Sequence, residues 1–575
     1  MRRFAELPDR ARNEAQMLGR LTPGCEGTHG VFPKVRRPRG GRRGGGRRAA
    51  EGEGRRGARL AGASGCAAWR GRSAAGGGPV GERGHPPDRR GALAASFGVV
   101  MAVRLVLMHL PCRGVPLCVC CWSSVPSSPT SPTPFLPQCN FACTPCYHNA
   151  DANKVRIDGA HTVTEVARQM STLSELRGPH GHCQLIGGEV SLLPAEDHAA
   201  ALEVMRFYGR LTPMSFTHGD FDFEYLVRLA VRPDGSRRFD RLDWAVHFDS
   251  FMVGRRGARR VTSEADLHPA RARFMDMMKR LKREHGVDFY VAHNMTVQPG
   301  NVRQIPDVVR AAKTMGFRML SFQPAAYVGD ERRWAEAGSA SDYRLLSADD
   351  GEGVWAQVAT GAGRSLPYGL FQMGDVRCNR TCFGALVGRV DDPDCPYVPF
   401  FLDTSAADAA LRDLLLAHLG TIVLPPATLA VKIARLLVGR PRVAIAAVRW
   451  LRRWVWRAGG PLRVLRFRPR MLTLVMHRFM HAEDVKAAWS LMEGGASHTD
   501  VAAVAAGGRV AETMERLQAC SYAMAHPADG RTVPACVQHS VLDPGENAAL
   551  ADLLPLKGVA VPAAAVPPPT KAPAM

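Results

Sequence analysis

The chain has 575 residues, 46% of them hydrophobic and 7% aromatic, enough for more than one domain with a buried core and too few aromatics for broad base-stacking surfaces. Its formal charge of +22 is concentrated: residues 34–90 carry 16 basic and 4 acidic side chains, and residues 430–470 carry 12 basic and none acidic, which leaves the rest near neutral and argues against a uniformly basic nucleic-acid-binding body. Fifteen cysteines, an odd number clustered at short spacings, argue against a secreted disulfide framework and for a reducing compartment.

Met1-Arg2-Arg3 leads into polar sequence, so no secretory signal is expected there. Arg36 to Arg90 is Arg/Gly/Ala low complexity that cannot bury a core. Residues 1–130 are therefore read as a disordered extension in preference to an RNA-binding tail. Phe97 to Leu110 is apolar but contains Arg104 and is short for a membrane span. Cys118, Cys120 and Cys121 precede a Ser/Pro tract.

From Cys139 the texture changes. Val163, Val166, Met170 and Leu173 share one helix face, with Thr162 or Thr164 as cap. Strands are expected at Cys183–Ile186, Met214–Thr217, Trp244–Phe248, Val287–Val297 and Met319–Phe322. Between them, helices are expected around Tyr225 and Leu229, around Phe274 to Leu281 closed by Gly286, and around Ile305 to Ala312 closed by Gly316. Strand and helix alternating in this way predict parallel strands with helical crossovers, an α/β fold whose chemistry sits at the carboxyl ends of the strands. After residue 335 the pattern weakens. Cys378, Cys382 and Cys395 fall in loop-like sequence. Ala430 to Trp456 reads as a basic, apolar helical stretch, and Leu472 to Leu554 as a compact unit. Residues 556–575 form a Pro/Ala tail.

Cys139, Cys143 and Cys146 put three thiolates in one loop. Three cysteines leave one iron of a [4Fe–4S] cluster without a protein ligand. With His148 as a fourth ligand the same loop suits a Cys₃His zinc site, and the cysteines alone leave both open. Downstream, Ile186-Gly187-Gly188-Glu189 follows the third cysteine by one helix and a return strand. The CxxxCxxC run CNFACTPCYH and this Gly-Gly-Glu turn together resemble the radical S-adenosylmethionine (SAM) superfamily, over Pro137 to Pro324. The resemblance implies a partial (β/α)₆ barrel at 131–335, with a mainly α-helical extension at 336–555. It implies a [4Fe–4S] cluster on Cys139, Cys143 and Cys146, and SAM held with its amino group at Gly187, Gly188 and Glu189. It implies reductive cleavage of SAM to a 5′-deoxyadenosyl radical that abstracts hydrogen from an organic or peptide substrate. An electron donor such as flavodoxin or ferredoxin would be a partner, in the cytoplasm. The family places a strand directly before the first cysteine. Here Pro126, Pro129, Pro132, Pro134 and Pro137 stand there, so that strand is very short or the upstream sequence is foreign to the protein.

Asp249, Ser250 and Arg255 follow the fourth strand, where the family contacts the SAM ribose and carboxylate. A solvated loop charge is the alternative reading of Arg255. His218 and Asp220 either face substrate or, for Asp220, cap a helix. Asn294 and Thr296 either meet the nucleoside or bond backbone. Cys378, Cys382 and Cys395, with Cys520 or Cys536, are candidate ligands of an auxiliary cluster. Met524, His526, Cys536 and His539 are a further scattered set. Residues 430–470, with Trp450, Trp454 and Trp456 among arginines, suit an anionic membrane surface, a solvated structural face or RNA. A zinc-stabilised nucleic-acid-binding protein is the competing reading of the whole chain, and catalytic side chains are not identified.

Overall fold

The computed structural model describes residues 138–143, 146, 154–178, 182–209, 211–256, 261–326, 352–368, 370, 374–419, 426–520 and 522–556. The extension at 1–130, the apolar run at 97–110, His148 and the tail beyond 556 lie outside these residues. Among the described residues no helix is long and apolar enough to cross a membrane.

The chain enters through β1 (Ala142–Cys143) inside the cysteine loop and passes into α1 (Gly159–Arg177). The Asp158 side chain accepts from His161 N–H and caps α1. The cap is therefore Asp158, not Thr162 or Thr164. Both threonines are buried inside the helix, and the Thr162 hydroxyl bonds back to the Asp158 carbonyl at 2.8 Å. Then come β2 (Gln184–Leu185), α2 (Ala195–Gly209), β3 (Met214–Thr217), α3 (Phe223–Ala230), β4 (Arg241–His247) and the short β5 (Met252–Val253). They are followed by α4 (His268–His285), β6 (Asp288–Val297), α5 (Ile305–Met315) and β7 (Met319–Pro324). Gly286 and Gly316 end α4 and α5 at φ +69° and +99°, a backbone region that side chains other than glycine's strain to enter.

Strands β2, β3, β4, β6 and β7 are neighbours in that order and parallel throughout. The sheet does not stop there. After α6 (Val354–Ala362), β8 (Asn379–Leu386), β9 (Tyr397–Pro399), α7 (Ala406–Leu419), α8 (Pro426–Gly439), α9 (Pro441–Arg457) and α10 (Pro461–Phe467), the chain returns as β10 (Arg470–His477). β10 lies parallel beside β7 and antiparallel to β8, giving one eight-stranded, mainly parallel sheet with β2 and β9 at its edges. The region after 335 is thus not only helical. Cys382 lies within β8, where the sequence reads as loop, because all eight residues of that strand are buried and show no alternation. A large cluster including Met170, Leu185, Trp244, Phe274, Val308 and Phe322 joins the sheet to its helices.

The rest is a smaller helical unit: α11 (Ala482–Glu493), α12 (Val501–Ala505), α13 (Gly508–Gln518), the hairpin β11 (Ala523–His526) and β12 (Arg531–Pro534), α14 (Ala535–Val537) and α15 (Asp543–Leu553). It has its own core of Val485, Met514, Leu517, Val533 and Val537. The Leu554 carbonyl accepts from Arg156 N–H, so this unit returns to the start of α1.

Candidate active site

A cavity of about 250 Å³ opens at the carboxyl ends of the parallel strands. Cys139, Cys143 and Cys146 line it on one side, with Gly187, Gly188 and Glu189 after β2. His218 after β3, His247 and Asp249 at the end of β4, Asn294 and Thr296 on β6, and Ser321 and Gln323 on β7 continue the wall. The far wall comes from the C-terminal region: Val475, His477, Phe479, Tyr522 and His539.

Two motifs 41 residues apart in sequence meet through the backbone: Glu189 N–H donates to the Gln138 carbonyl at 2.9 Å. β1 pairs antiparallel with β5, Ala142 opposite Val253 and Cys143 opposite Met252, which fixes the cysteine loop against the turn after β4. Gly254 lets the strands come this close; a Cβ there would stand 3.1 Å from the Asn140 carbonyl oxygen, at φ +125°. Phe141 N–H donates to the Cys139 sulfur at 3.4 Å.

Glu189 is buried, and both carboxylate oxygens are engaged. Oε1 accepts from Ser191 N–H at 3.0 Å and from the Thr217 hydroxyl at 2.6 Å, and Oε2 accepts from His218 N–H at 2.7 Å. The carboxylate therefore clamps the end of β2 to the end of β3 and brings its charge to the cavity in a fixed place. Neither Gly187 nor Gly188 has positive φ. The pair offers bare backbone along the wall instead of a special turn.

His218 accepts from Asp220 N–H at Nδ1 (3.0 Å), so its Nε2–H donates to the Asn140 side-chain oxygen at 2.8 Å. Phe141 stacks on the imidazole at 3.8 Å. Burial pushes the His218 pKa down, against the pull of Glu189 and with the push of Arg255, which keeps the ring neutral. Asp220 neither faces the cavity nor caps α3. It is buried, binding Arg273 at 2.7 Å and the Arg256 N–H at 2.7 Å. Burial raises its pKa, but the Arg256 N–H and the charges of Arg255 and Arg256 outweigh it and hold the carboxyl low. Asp222 occupies the cap position of α3.

Asp249 lines the cavity; its Oδ2 sits 2.6 Å from His247 Nε2, which is also 3.0 Å from the Thr296 hydroxyl. Ser250 and Arg255 are not among the lining residues. Ser250 N–H donates to Glu264 Oε1 at 2.8 Å, which draws Ser250 into a buried support network. Arg255 lies beneath the cysteine loop, 4.7 Å from the Phe248 ring centre, with Nη2 donating to the His218 carbonyl at 2.9 Å. Its Nε and Nη1 have no partner among the described residues. Burial pushes its pKa down to about 10, and Cys143 is among the negative groups that pull it back up. Arg255 is thus a buried cation beside a cysteine of the loop, in place of a ligand contact in the cavity.

Asn294 is buried on the cavity wall, and its Nδ2 has no partner among the described residues. His477, likewise buried and lining, leaves Nδ1 unpartnered; burial and then Arg516 push its pKa down to about 4. Tyr522 packs on the His477 ring at 4.4 Å. His247 was missed in the sequence although it sits two residues before Asp249, the strand period that puts both on one face. His477, Phe479 and Tyr522 carry no local signal, since only the folding of β10 beside β7 brings them here.

The five C-terminal cysteines do not gather as one set. Cys395, near Arg470, and Cys378, beside Arg478, lie at opposite ends of β10. Cys382 is buried in between, against the Tyr397 hydroxyl. Cys378, Cys520 and Cys536 approach one another electrostatically; burial pushes the Cys520 thiol well up and that of Cys536 up to about 12. His526 pairs with Gln538 and His539 with Asp543; of the Met524, His526, Cys536 and His539 set, Met524 and His539 line the cavity and His526 and Cys536 do not.

Among the described residues no three His, Cys, Asp or Glu side chains form a group that could hold a metal ion. Cys139, Cys143 and Cys146 instead face one cavity. A multi-iron cluster gives each cysteine sulfur its own iron, so its three ligands need not meet at one point. The three cysteines share that cavity with the bare Gly187-Gly188 backbone. No protein-family model matches the chain, and no curated protein matches it.

Proposed function

We propose that the chain is a radical SAM enzyme. The observation that carries this reading is the shared cavity, in which Cys139, Cys143 and Cys146 and the turn Gly187-Gly188-Glu189 stand together at the carboxyl ends of parallel strands. The five strands β2, β3, β4, β6 and β7, whose sheet order follows chain order, are those a partial (β/α)₆ barrel would place second to sixth.

With a [4Fe–4S] cluster on the three thiolates and SAM beside it, the chemistry supplied is one-electron cleavage of a carbon–sulfur bond of the sulfonium. The remaining work belongs to the protein. The three cysteines hold the cluster, and the Asn140–His218 bond with the Phe141 stack fixes the loop that carries them. Arg255 holds a buried cation under that loop, bonded to the His218 carbonyl and packed on the Phe248 ring. Glu189 places a negative charge, and the Gly187-Gly188 backbone its carbonyls, where an ammonium would bind. Asp249, with His247, presents acceptors suited to ribose hydroxyls, and Asn294 Nδ2 offers an unused donor to an adenine or carboxylate acceptor. Met214, Phe216, Met252 and Met319 make the wall apolar and exclude water. The substrate would enter from the side of His477, Phe479 and Tyr522.

Anaerobic reconstitution with iron and sulfide tests the proposal. A brown protein that yields 5′-deoxyadenosine from SAM under a strong reductant is expected. Single Cys139→Ala, Cys143→Ala and Cys146→Ala variants are expected to lose that product while remaining folded. A colourless protein that retains zinc, or a cysteine variant with full iron and full product, overturns it.

A further inference from the structure

The basic segment at 430–470 has two faces. On α9, Val443, Trp450 and Trp454 point inward. Trp454 is buried 5.5 Å from the Phe400 ring, and Trp450 Nε1–H donates to the Phe400 carbonyl at 2.7 Å. Arg453 and Arg457 also turn in and bind the buried Asp408, both at 2.7 Å. These contacts seat the helix on the sheet without the other side.

That other side is Arg442, Ile445, Arg449, Arg452 and Trp456, spaced three, four, three and four residues apart, one continuous helical stripe, all exposed. The helices before and after α9 also expose large apolar side chains. Val438 at the end of α8 is 84% exposed, Leu462 and Leu465 on α10 are 82% and 55% exposed, and Trp456 is 65% exposed. Arg435, Arg440, Arg466 and Arg468 of the same segment are also exposed. None of the seven exposed arginines of this segment is in an ion pair among the described residues, and residues 430–470 contain no Asp or Glu. Large apolar side chains turned outward and interleaved with unpaired cations are what an interfacial helix presents to a bilayer: the apolar groups enter the acyl boundary and the guanidiniums meet the phosphates.

We propose that α8, α9 and α10 form a docking surface for an anionic lipid bilayer. The chain's own Arg/Gly-rich segment is an unsuitable cover, because residues 34–90 carry the same positive sign. Two of the three tryptophans are spent on the fold, so the apolar anchor reduces to Trp456, Leu462, Leu465 and Val438.

The test uses the full chain with vesicles of phosphatidylcholine alone and of phosphatidylcholine with phosphatidylglycerol. Because residues 34–90 also attract anions, variants decide the matter. Binding is expected only to the anionic vesicles and to weaken with salt without vanishing. Arg449→Gln with Arg452→Gln is expected to lower partitioning about tenfold. Trp456→Ser with Leu462→Ser is expected to remove the part that salt does not. Brominated lipid is expected to quench a fraction of the tryptophan emission that disappears in Trp456→Phe. All these positions are exposed, so the thermal melts are expected to match wild type. Failure of either double variant to weaken vesicle binding overturns the proposal, as does the absence of Trp456-dependent quenching. So does complete displacement of the vesicles by an unstructured RNA, which would show that charge alone is read.

Discussion

Glu264 shows what a single carboxylate does behind this cavity. It is buried with Arg271, the two side chains 1% and 0% exposed and 2.6 Å apart. Its other oxygen takes Ser250 N–H and Asn301 Nδ2–H, while Arg271 reaches the Phe248 carbonyl and His293. The turn after β4 is therefore held by this pair. Glu264→Ala leaves the Arg271 charge buried and unpaired and is expected to cost about 3–5 kcal/mol in urea unfolding; a loss under about 1 kcal/mol would show the pair idle. His198 makes a second prediction. Its ring lies between the Tyr225 hydroxyl at 2.9 Å and the Ser215 hydroxyl at 2.8 Å, and burial pushes its pKa down to about 3. The unfolded chain takes up this proton near the ordinary value of 6.5 and the folded chain only near 3. Its contribution is complete above pH 6.5 and is lost as pH falls toward 3, by about 1.4 kcal/mol per pH unit. His198→Gln is expected to flatten the acid limb of stability against pH by that slope; an unaltered limb would mean the ring is protonated in the fold. At this scale the sequence exposes the cysteines and the glycine turn, because motif chemistry is local. It hides Glu264 and His198, whose roles come from burial.

At the scale of elements, helices with one apolar stripe and a glycine stop are legible, and α4 and α5 end at Gly286 and Gly316 as read. β3 matches its expected bounds, Met214–Thr217, with apolar Met214 and Phe216 alternating with hydroxyl residues Ser215 and Thr217. Helix α2 is hidden in the sequence because four of its nine buried residues are alanines and residues 198–202 are buried consecutively, leaving no single apolar stripe. β8 went unread because polar Asn379, Arg380 and Thr381 are buried along with the rest. Where α6 crosses α5, the contact depends on Gly361. A Cβ there would stand 2.6 Å from Val309 Cβ and 2.9 Å from Pro306 Cα. Backbone and a branched side chain cannot give way as a flexible tip would, so the helices must separate. Gly361→Ala is expected to destabilise by about 1–3 kcal/mol, less whatever alanine gains as the better helix former. A stabilised variant in thermal melts would show that α6 floats free of α5.

At the scale of the whole molecule, the boundary expected at residue 335 cuts through a single sheet. β10 lies between β7 and β8, pairing Thr473 to Met476 with Met319 to Phe322, and it carries His477 to the cavity. No local pattern announces this, because a parallel pairing between distant segments leaves no mark on either one. The separation has a direct consequence. A chain ending at residue 335 would expose the full edge of β7 and remove the far wall of the cavity, and an uncovered parallel edge is an invitation to aggregate. Such a chain is expected to be insoluble or to unfold without a cooperative transition. A chain lacking residues 1–130 keeps every described contact and is expected to unfold like the full protein, with the same iron content after reconstitution. Urea unfolding and iron analysis of the two truncations separate these outcomes. A stable, monomeric, iron-binding fragment ending at 335 would show that β10 is an appendage and that the sheet from β2 to β7 suffices alone.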